Sequence, residues 1–352
     1  MKAPLAERIR NAWEGRISGC QLGKPVELLS MRSGHAALTE YLRGVGSLPV
    51  RDYIGYRDGL GVQRECCRGH IVRSEPDDDI NYSALALLLL ERHGASFTTA
   101  DVARAWLTLL PAAATFTAER AAYRVLLDRA HERFAHGAQP GFDLAVCSDN
   151  PYNDWIGAQI RADVYGWVAP GRPALSAELA RRDAALSHRG DGVYGAMFVA
   201  ALGAALAENP AADALALALA EIPPDSGAAD AVRLGASLAG NPDGGATIRA
   251  RYEGMSPVHT LNNLALVVWA LYSHLDDFGC AIGDAVAAGL DTDCNGATVG
   301  GLWGIQGGAI PQSWTAPWQG RVALGLAGYG ELSIDELVDR TTRVAEKIGR
   351  EG

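Results

Sequence analysis

No C-x-x-C pair, no apolar core at the N-terminus, no long apolar run and no block of positive charge occur in these 352 residues. Each absence removes a class of protein. A surface that tracks a phosphate backbone needs a basic stripe to release counterions. The formal net charge of -10 argues against it, so nucleic acid is not expected as a sequence-read partner. The six cysteines, Cys20, Cys66, Cys67, Cys147, Cys280 and Cys294, lack zinc-knuckle spacing. MKAPLAERIR carries no apolar leader core, and a reduced cytoplasm is the expected compartment. No unbroken apolar run, Ala84 to Leu90 among them, approaches the roughly 18 residues a spanning helix requires, so no membrane span is expected. No internal repeat and no low-complexity tract appear.

What remains has the composition of a globular enzyme-sized chain: 48% hydrophobic and 20% charged, with 41 glycines. Helical signals dominate. Leu5, Ile9 and Ala12 follow helical spacing. Thr98 with Asp101 makes an S/T-x-x-D start before VARAWLTLL, which Pro111 ends, and Ser333 with Glu336 repeats that start near the C-terminus. AERAAYRVLLDRAHERFAHG (118–137), SAELARRDAALSH, GVYGAMFVAALGAALAEN, VHTLNNLALVVWALYSHL and DDFGCAIGDAVAAGL each predict a helix and are poor in β-type alternation. The expectation is an all-α protein forming a single domain over residues 1–352. Residues 29 to 76 lack clear periodicity and read as a long excursion of the kind that often serves as a lid.

The most informative pattern is a pair of distant acidic groups. Asp77, Asp78 and Asp79 in SEPDDDINY precede the apolar NYSALALLLL, and Asp291 and Asp293 in GLDTDCNGATVGG precede NGATVGGLWG. Both following segments are apolar nearly all round, the mark of central helices. Asp is favoured as a helix cap, which explains either group alone. Three consecutive Asp exceed what capping needs. Converging carboxylates are reconciled most simply by hard divalent cations such as Mg²⁺ or Mn²⁺, which take oxygen ligands.

Three further places have two readings each. Gly15, Gly19 and Gly23 recur every fourth residue in GRISGCQLGKPVE, leaving one helix face bare for close packing. Glu27, past Lys24-Pro25, is either a surface acid or a carboxylate delivered to metal-bound water. His188 in ALSHRGDGVYG, and Gly157 with Arg161 in DWIGAQIRADVYGW, suit either phosphate oxygens or ordinary turns with Trp155 and Trp167 in the core.

Taken in order, these motifs resemble the ADP-ribosylglycohydrolase family, whose members remove ADP-ribose from arginine or serine or reactivate dinitrogen reductase. GRISGCQLGKPVE is similar to its N-terminal G-x-x-x-G helix ending in a glutamate, and PDDDINYSALAL to its T-D-D-T helix start. IGAQIRA is similar to its G-A-M-R segment, ALSHRGDGVYGA to its histidine turn, and GLDTDCNGATVGGLWG to its G-D-T-D-T-x-A-x-x-x-G, with Cys294 in place of a threonine. The resemblance implies an all-α orthogonal fold, two Mg²⁺ (or Mn²⁺) ions and hydrolysis at C1″ of an ADP-ribose conjugate, a protein side chain or a small molecule. Carried over by position, Asp77, Asp78, Asp79, Asp291 and Asp293 are metal ligands and Glu27 is the acid near the attacked carbon. His188 and the Gly157 segment hold the diphosphate. The rival expectations are a catalytically silent ADP-ribose binder of the same fold and a metal-dependent phosphohydrolase.

Overall fold

A computed structural model describes residues 3–59, 61–130, 134 and 137–351. Among them the regular structure is helical except for one short hairpin. In order the helices are α1 Leu5–Gly23, α2 Glu27–Gly44, α3 Asp78–His93, α4 Thr99–Leu109, α5 Thr117–Arg129, α6 Asp163–Trp167, α7 Pro173–Ala184 and α8 Gly190–Glu208. There follow α9 Ala211–Leu219, α10 Gly227–Ser237, α11 Gly244–Arg251, α12 Thr260–Ser273, α13 Phe278–Ala287, α14 Thr292–Ile305 and α15 Gln312–Thr315. The strands β1 Arg321–Leu326 and β2 Tyr329–Ser333 come next, and α16 Ile334–Glu351 ends the chain. The all-α expectation holds. Most expected helices are present, and the capping box of Thr98 and Asp101 forms at the head of α4. The helix expected over 118–137 is seen as α5; positions 131–133 and 135–136 of it lie outside the described residues.

The chain forms two compact units. One holds the segment up to Glu75 with Gly227–Ala323 and Glu331–Asp339; the other holds Pro76–Ser226, Leu324–Gly330 and the chain from Arg340 on.

In the first unit, α1 packs along α14 more closely than any other helix pair. The glycines at 15, 19 and 23 make this possible, as their spacing predicts. A Cβ at Gly19 would collide with the carbonyl of Gly296, one at Gly15 with Gly300 and one at Gly23 with Thr292. The two backbones therefore touch directly. α14 is buried along its whole length, with α12 and α13 also against it. Gln21 on α1 accepts from the Glu75 backbone N–H at 3.0 Å and donates back to the Glu75 carbonyl at 3.3 Å. Ser74 pairs with β1 through Arg321 and Ala323, so the residues leading up to the acidic run are fixed.

The reading of residues 29 to 76 as a long excursion is corrected here, because its first part is α2. Gly34, at φ 78°, breaks that helix into two pieces, and this break hides the periodicity of Leu38, Tyr41 and Leu42, which are buried. The hairpin is the other departure: Gly328, at φ 81°, sits in the turn between β1 and β2, a conformation that glycine adopts at no steric cost.

In the second unit, α8 is the central helix, with α6, α7 and α9 packed around it. It is long and apolar enough to cross a membrane, and 78% of that stretch is buried inside the fold. Glycines interrupt its apolar run, which is why counting uninterrupted residues passes over it. As a core helix it needs apolar residues on every side.

Candidate metal centre

Helix α1 does not stop at Gly23 but tightens into a 3₁₀ turn over Lys24–Val26, from which α2 starts at Glu27. Because Gly23 lies against Thr292, this exit brings Glu27 to the head of α14. There an oxygen from each of Glu27, Asp291 and Asp293 lies within 4.8 Å of the others. Three hydrogen bonds from three elements fix the turn that carries Asp291. The Thr292 hydroxyl donates to the Gly23 carbonyl at 2.8 Å, Ser30 Oγ donates to the Leu290 carbonyl at 2.8 Å, and the Asp291 N–H donates to Asn263 Oδ1 at 3.3 Å. Asn263 Oδ1 also accepts from Asn295 Nδ2 at 2.8 Å, which anchors it on α14.

The capping explanation of Asp291 fails on geometry. It occupies the N-cap position of α14, yet its side chain makes no capping hydrogen bond. Its Oδ1 is buried with no hydrogen-bond partner. Burial raises its pKa well above the usual carboxylate range, and the adjacent Asp293 and Glu27 add to the rise. A buried carboxylate beside two others is costly by itself. A divalent cation reverses the sign of every one of these interactions, so the donor set, all oxygen, fits Mg²⁺ or Mn²⁺. Cys294, beside them, hydrogen-bonds to Asp291.

At the start of the second unit, Asp77 does cap its helix, accepting from the Asp79 N–H at 3.0 Å. Asp77 and Asp79 are buried and Asp78 is half-buried. Both acidic groups thus stand at the N-terminal ends of buried helices, where the helix dipole favours negative charge.

Gly157 and His188 belong to a different environment, a buried ion cluster within the second unit. Arg161, only 1% exposed, uses all five of its N–H groups. Nε donates to Asp183 at 2.9 Å; Nη1 donates to Glu119 at 2.6 Å and to the Gly157 carbonyl at 3.2 Å. Nη2 donates to the Asp183 carbonyl at 3.3 Å and to Ser187 Oγ at 3.1 Å. The guanidinium lies over the rings of Tyr82 and Trp106, and Tyr165 donates to Asp183 at 2.6 Å. Gly157 is required because a Cβ there would strike the Glu119 carboxylate. His188 is fully buried; burial first, then the Arg161 cation, push its pKa well below 6.5 against an opposing contact with the Trp155 main chain. It is therefore a neutral imidazole. Burial also raises the pKa of Glu119, against the pull of Arg161.

A sequence model of the ADP-ribosylglycohydrolase family matches residues 1–350. The chain belongs to the ADP-ribosylglycohydrolase family. A solved structure titled "ADP-ribosylglycohydrolase-related protein complex" is similar over 98% of this chain and 99% of its own, with 21% identity and a TM-score of 0.60. That likeness shows the all-α fold of the family. No curated protein matches. Members of the family are hydrolases that generally depend on divalent metal and act on ADP-ribosylated substrates, and the oxygen cluster of Glu27, Asp291 and Asp293 suits that chemistry. Sequence reasoning missed Asn263, Ser30, Glu119, Asp183 and Ser187. For Asn263 the signal was a pair of amides, Asn262-Asn263, inside an otherwise apolar helix; the others carry no signal outside the fold.

Proposed function

We propose that this protein hydrolyses the glycosidic bond at C1″ of ADP-ribose in an ADP-ribosylated protein side chain or a small ADP-ribose conjugate. The observation that carries this reading is the buried Asp291 carboxylate, unpartnered at Oδ1 and crowded by Glu27 and Asp293 in a member of this family. Two Mg²⁺ or Mn²⁺ ions are the proposed cofactors, with Asp291 and Asp293 of one unit and Asp77, Asp78 and Asp79 of the other as their ligands in one domain spanning the chain. That both groups serve the same ions rests on the family resemblance.

Divalent ions bound there supply charge that orients the ribose hydroxyls and activates a water. The chain's own residues do the rest. Glu27, half-buried at the start of α2 with a carboxylate oxygen within 4.8 Å of Asp291 and Asp293, would be the group that takes up a proton there. The turns carrying Gly157 and His188 are the proposed diphosphate holders, with the His188 side chain and Arg161 enclosed by protein behind them. We propose the cytoplasm as the compartment; all six cysteines are free thiols.

The test is a hydrolysis panel of ADP-ribose joined to arginine, to serine and to small acceptors, run with Mg²⁺, with Mn²⁺ and with chelator. Free ADP-ribose should appear only with metal and without release of inorganic phosphate. Affinity for ADP-ribose without turnover of any conjugate would make the protein a binder, and phosphate release would make it a phosphohydrolase.

A further inference from the structure

The buried cluster around Arg161 closes on itself. Arg161 reaches Ser187 Oγ at 3.1 Å, Ser187 Oγ lies 2.8 Å from His188 Nδ1, and His188 Nε2 faces Glu119 Oε1 at 3.8 Å. Glu119 Oε1 in turn accepts from Arg161 at 2.6 Å. This circuit joins α5, the 3₁₀ turn Ile156–Arg161, the end of α7 and the turn into α8. It thus ties together both segments that the proposed function assigns to the diphosphate.

The circuit also decides where the imidazole proton sits. A guanidinium can only donate, so Ser187 Oγ is an acceptor toward Arg161, and its own hydroxyl proton remains to be given. His188 Nδ1, at 2.8 Å, is placed to accept it. Nδ1 is then the acceptor, and the single proton of the neutral ring is on Nε2. That Nε2–H points toward Glu119 Oε1, 3.8 Å away, and the ring also has a hydrogen-bonding contact with the Trp155 main chain.

We infer that Glu119, Arg161, Asp183 and Ser187 are positioning residues that lock His188 as its Nε2–H tautomer and hold the Gly157 and His188 turns in register for the diphosphate of the substrate. This inference rests on the proposed hydrolase reading for its ligand, but not for its geometry. The circuit costs buried charge: Arg161 faces two carboxylates with no solvent to share the load. Such clusters often gain little over apolar packing and are best explained by the geometry they impose. Misplacement of a binding group by about 1 Å is enough to cost a large factor in rate or affinity.

The experiment is ¹⁵N imidazole NMR on the full chain between pH 8 and 5, with the wild type and Ser187→Ala. The wild type should show His188 with Nε2 protonated and Nδ1 unprotonated, and no titration across that range. Ser187→Ala should lose this lock, the ring gaining Nδ1–H character. Its Kd for ADP-ribose and KM for a hydrolysed conjugate should rise about tenfold while kcat changes less than about threefold. A wild-type Nδ1–H tautomer, shared with the Trp155 carbonyl, overturns the inference, as does a Ser187→Ala protein with unchanged tautomer and unchanged affinity. The two readings fail separately. The expected tautomer in a protein that neither binds nor hydrolyses any ADP-ribose conjugate sinks the hydrolase reading alone, whereas the wrong tautomer in an active enzyme sinks only the positioning circuit.

Discussion

Asp291 is buried in the metal centre, and its folded pKa is raised by burial and by two neighbouring carboxylates. Between the ordinary aspartate value and that raised one, the folded chain keeps a proton the unfolded chain has lost, so stability declines as pH rises through this window in the absence of metal. Asp291→Asn removes the charge and keeps the shape. Without metal it should be more stable than the wild type by about 1–2 kcal/mol, and Mn²⁺ should no longer raise its Tm; thermal scans with chelator and with Mn²⁺ read both. His188 has the opposite sign. Because its folded pKa lies well below 6.5, the unfolded chain takes up a proton below that pH while the folded chain refuses it. Stability present above about pH 6.5 is lost as pH falls, with a slope of up to about 1.4 kcal/mol per pH unit. His188→Gln should flatten that slope in denaturant titrations at pH 7, 6 and 5, and an unchanged slope would show that this ring does not stay neutral. Residue types and helix position pointed to Asp291 and Asp293 from the sequence, since capping explains one acidic group alone but not a second one beside three consecutive Asp elsewhere. Glu119, Asp183 and Ser187 were illegible, because each is an ordinary residue until Arg161 is brought to it from a distant segment.

Among the elements, α1 and α14 set the site. Their backbones meet through glycine on both sides, and the same contact holds Gly23 against Thr292 and so places Glu27 beside Asp291. Alanine is the better helix former by about 1 kcal/mol. At Gly19 that gain is overcome, since the methyl group has only the Gly296 backbone to enter. Gly19→Ala should cost about 2 kcal/mol or more in net stability and weaken metal binding together with it. Urea denaturation and Mn²⁺ titration check the pair; a stabilised variant with normal metal affinity would show that the two helices are not in contact. The glycine spacing made this face readable in the sequence. Helix α2 was not, because Gly34 interrupts it and residues on the two sides of the break fall out of phase. The hairpin was missed because two short strands carry too little alternation to stand out among helical segments.

For the whole molecule, the all-α fold agrees with what helical periodicity suggested, and the family match along residues 1–350 agrees with the resemblance carried by the motifs. Composition says nothing of whether the acids of the two compact units serve the same ions, as proposed, since that depends on side chains from distant parts of the chain. If they share the ions, their effects cannot be independent. Equilibrium Mn²⁺ binding to the wild type, Asp79→Asn, Asp291→Asn and the double variant measures this directly. The account predicts that either single change removes most of the binding and that the double change removes little more, with hydrolysis of ADP-ribose conjugates lost in parallel. Additive losses, or a single variant that keeps full Mn²⁺ binding and full hydrolysis, would contradict it.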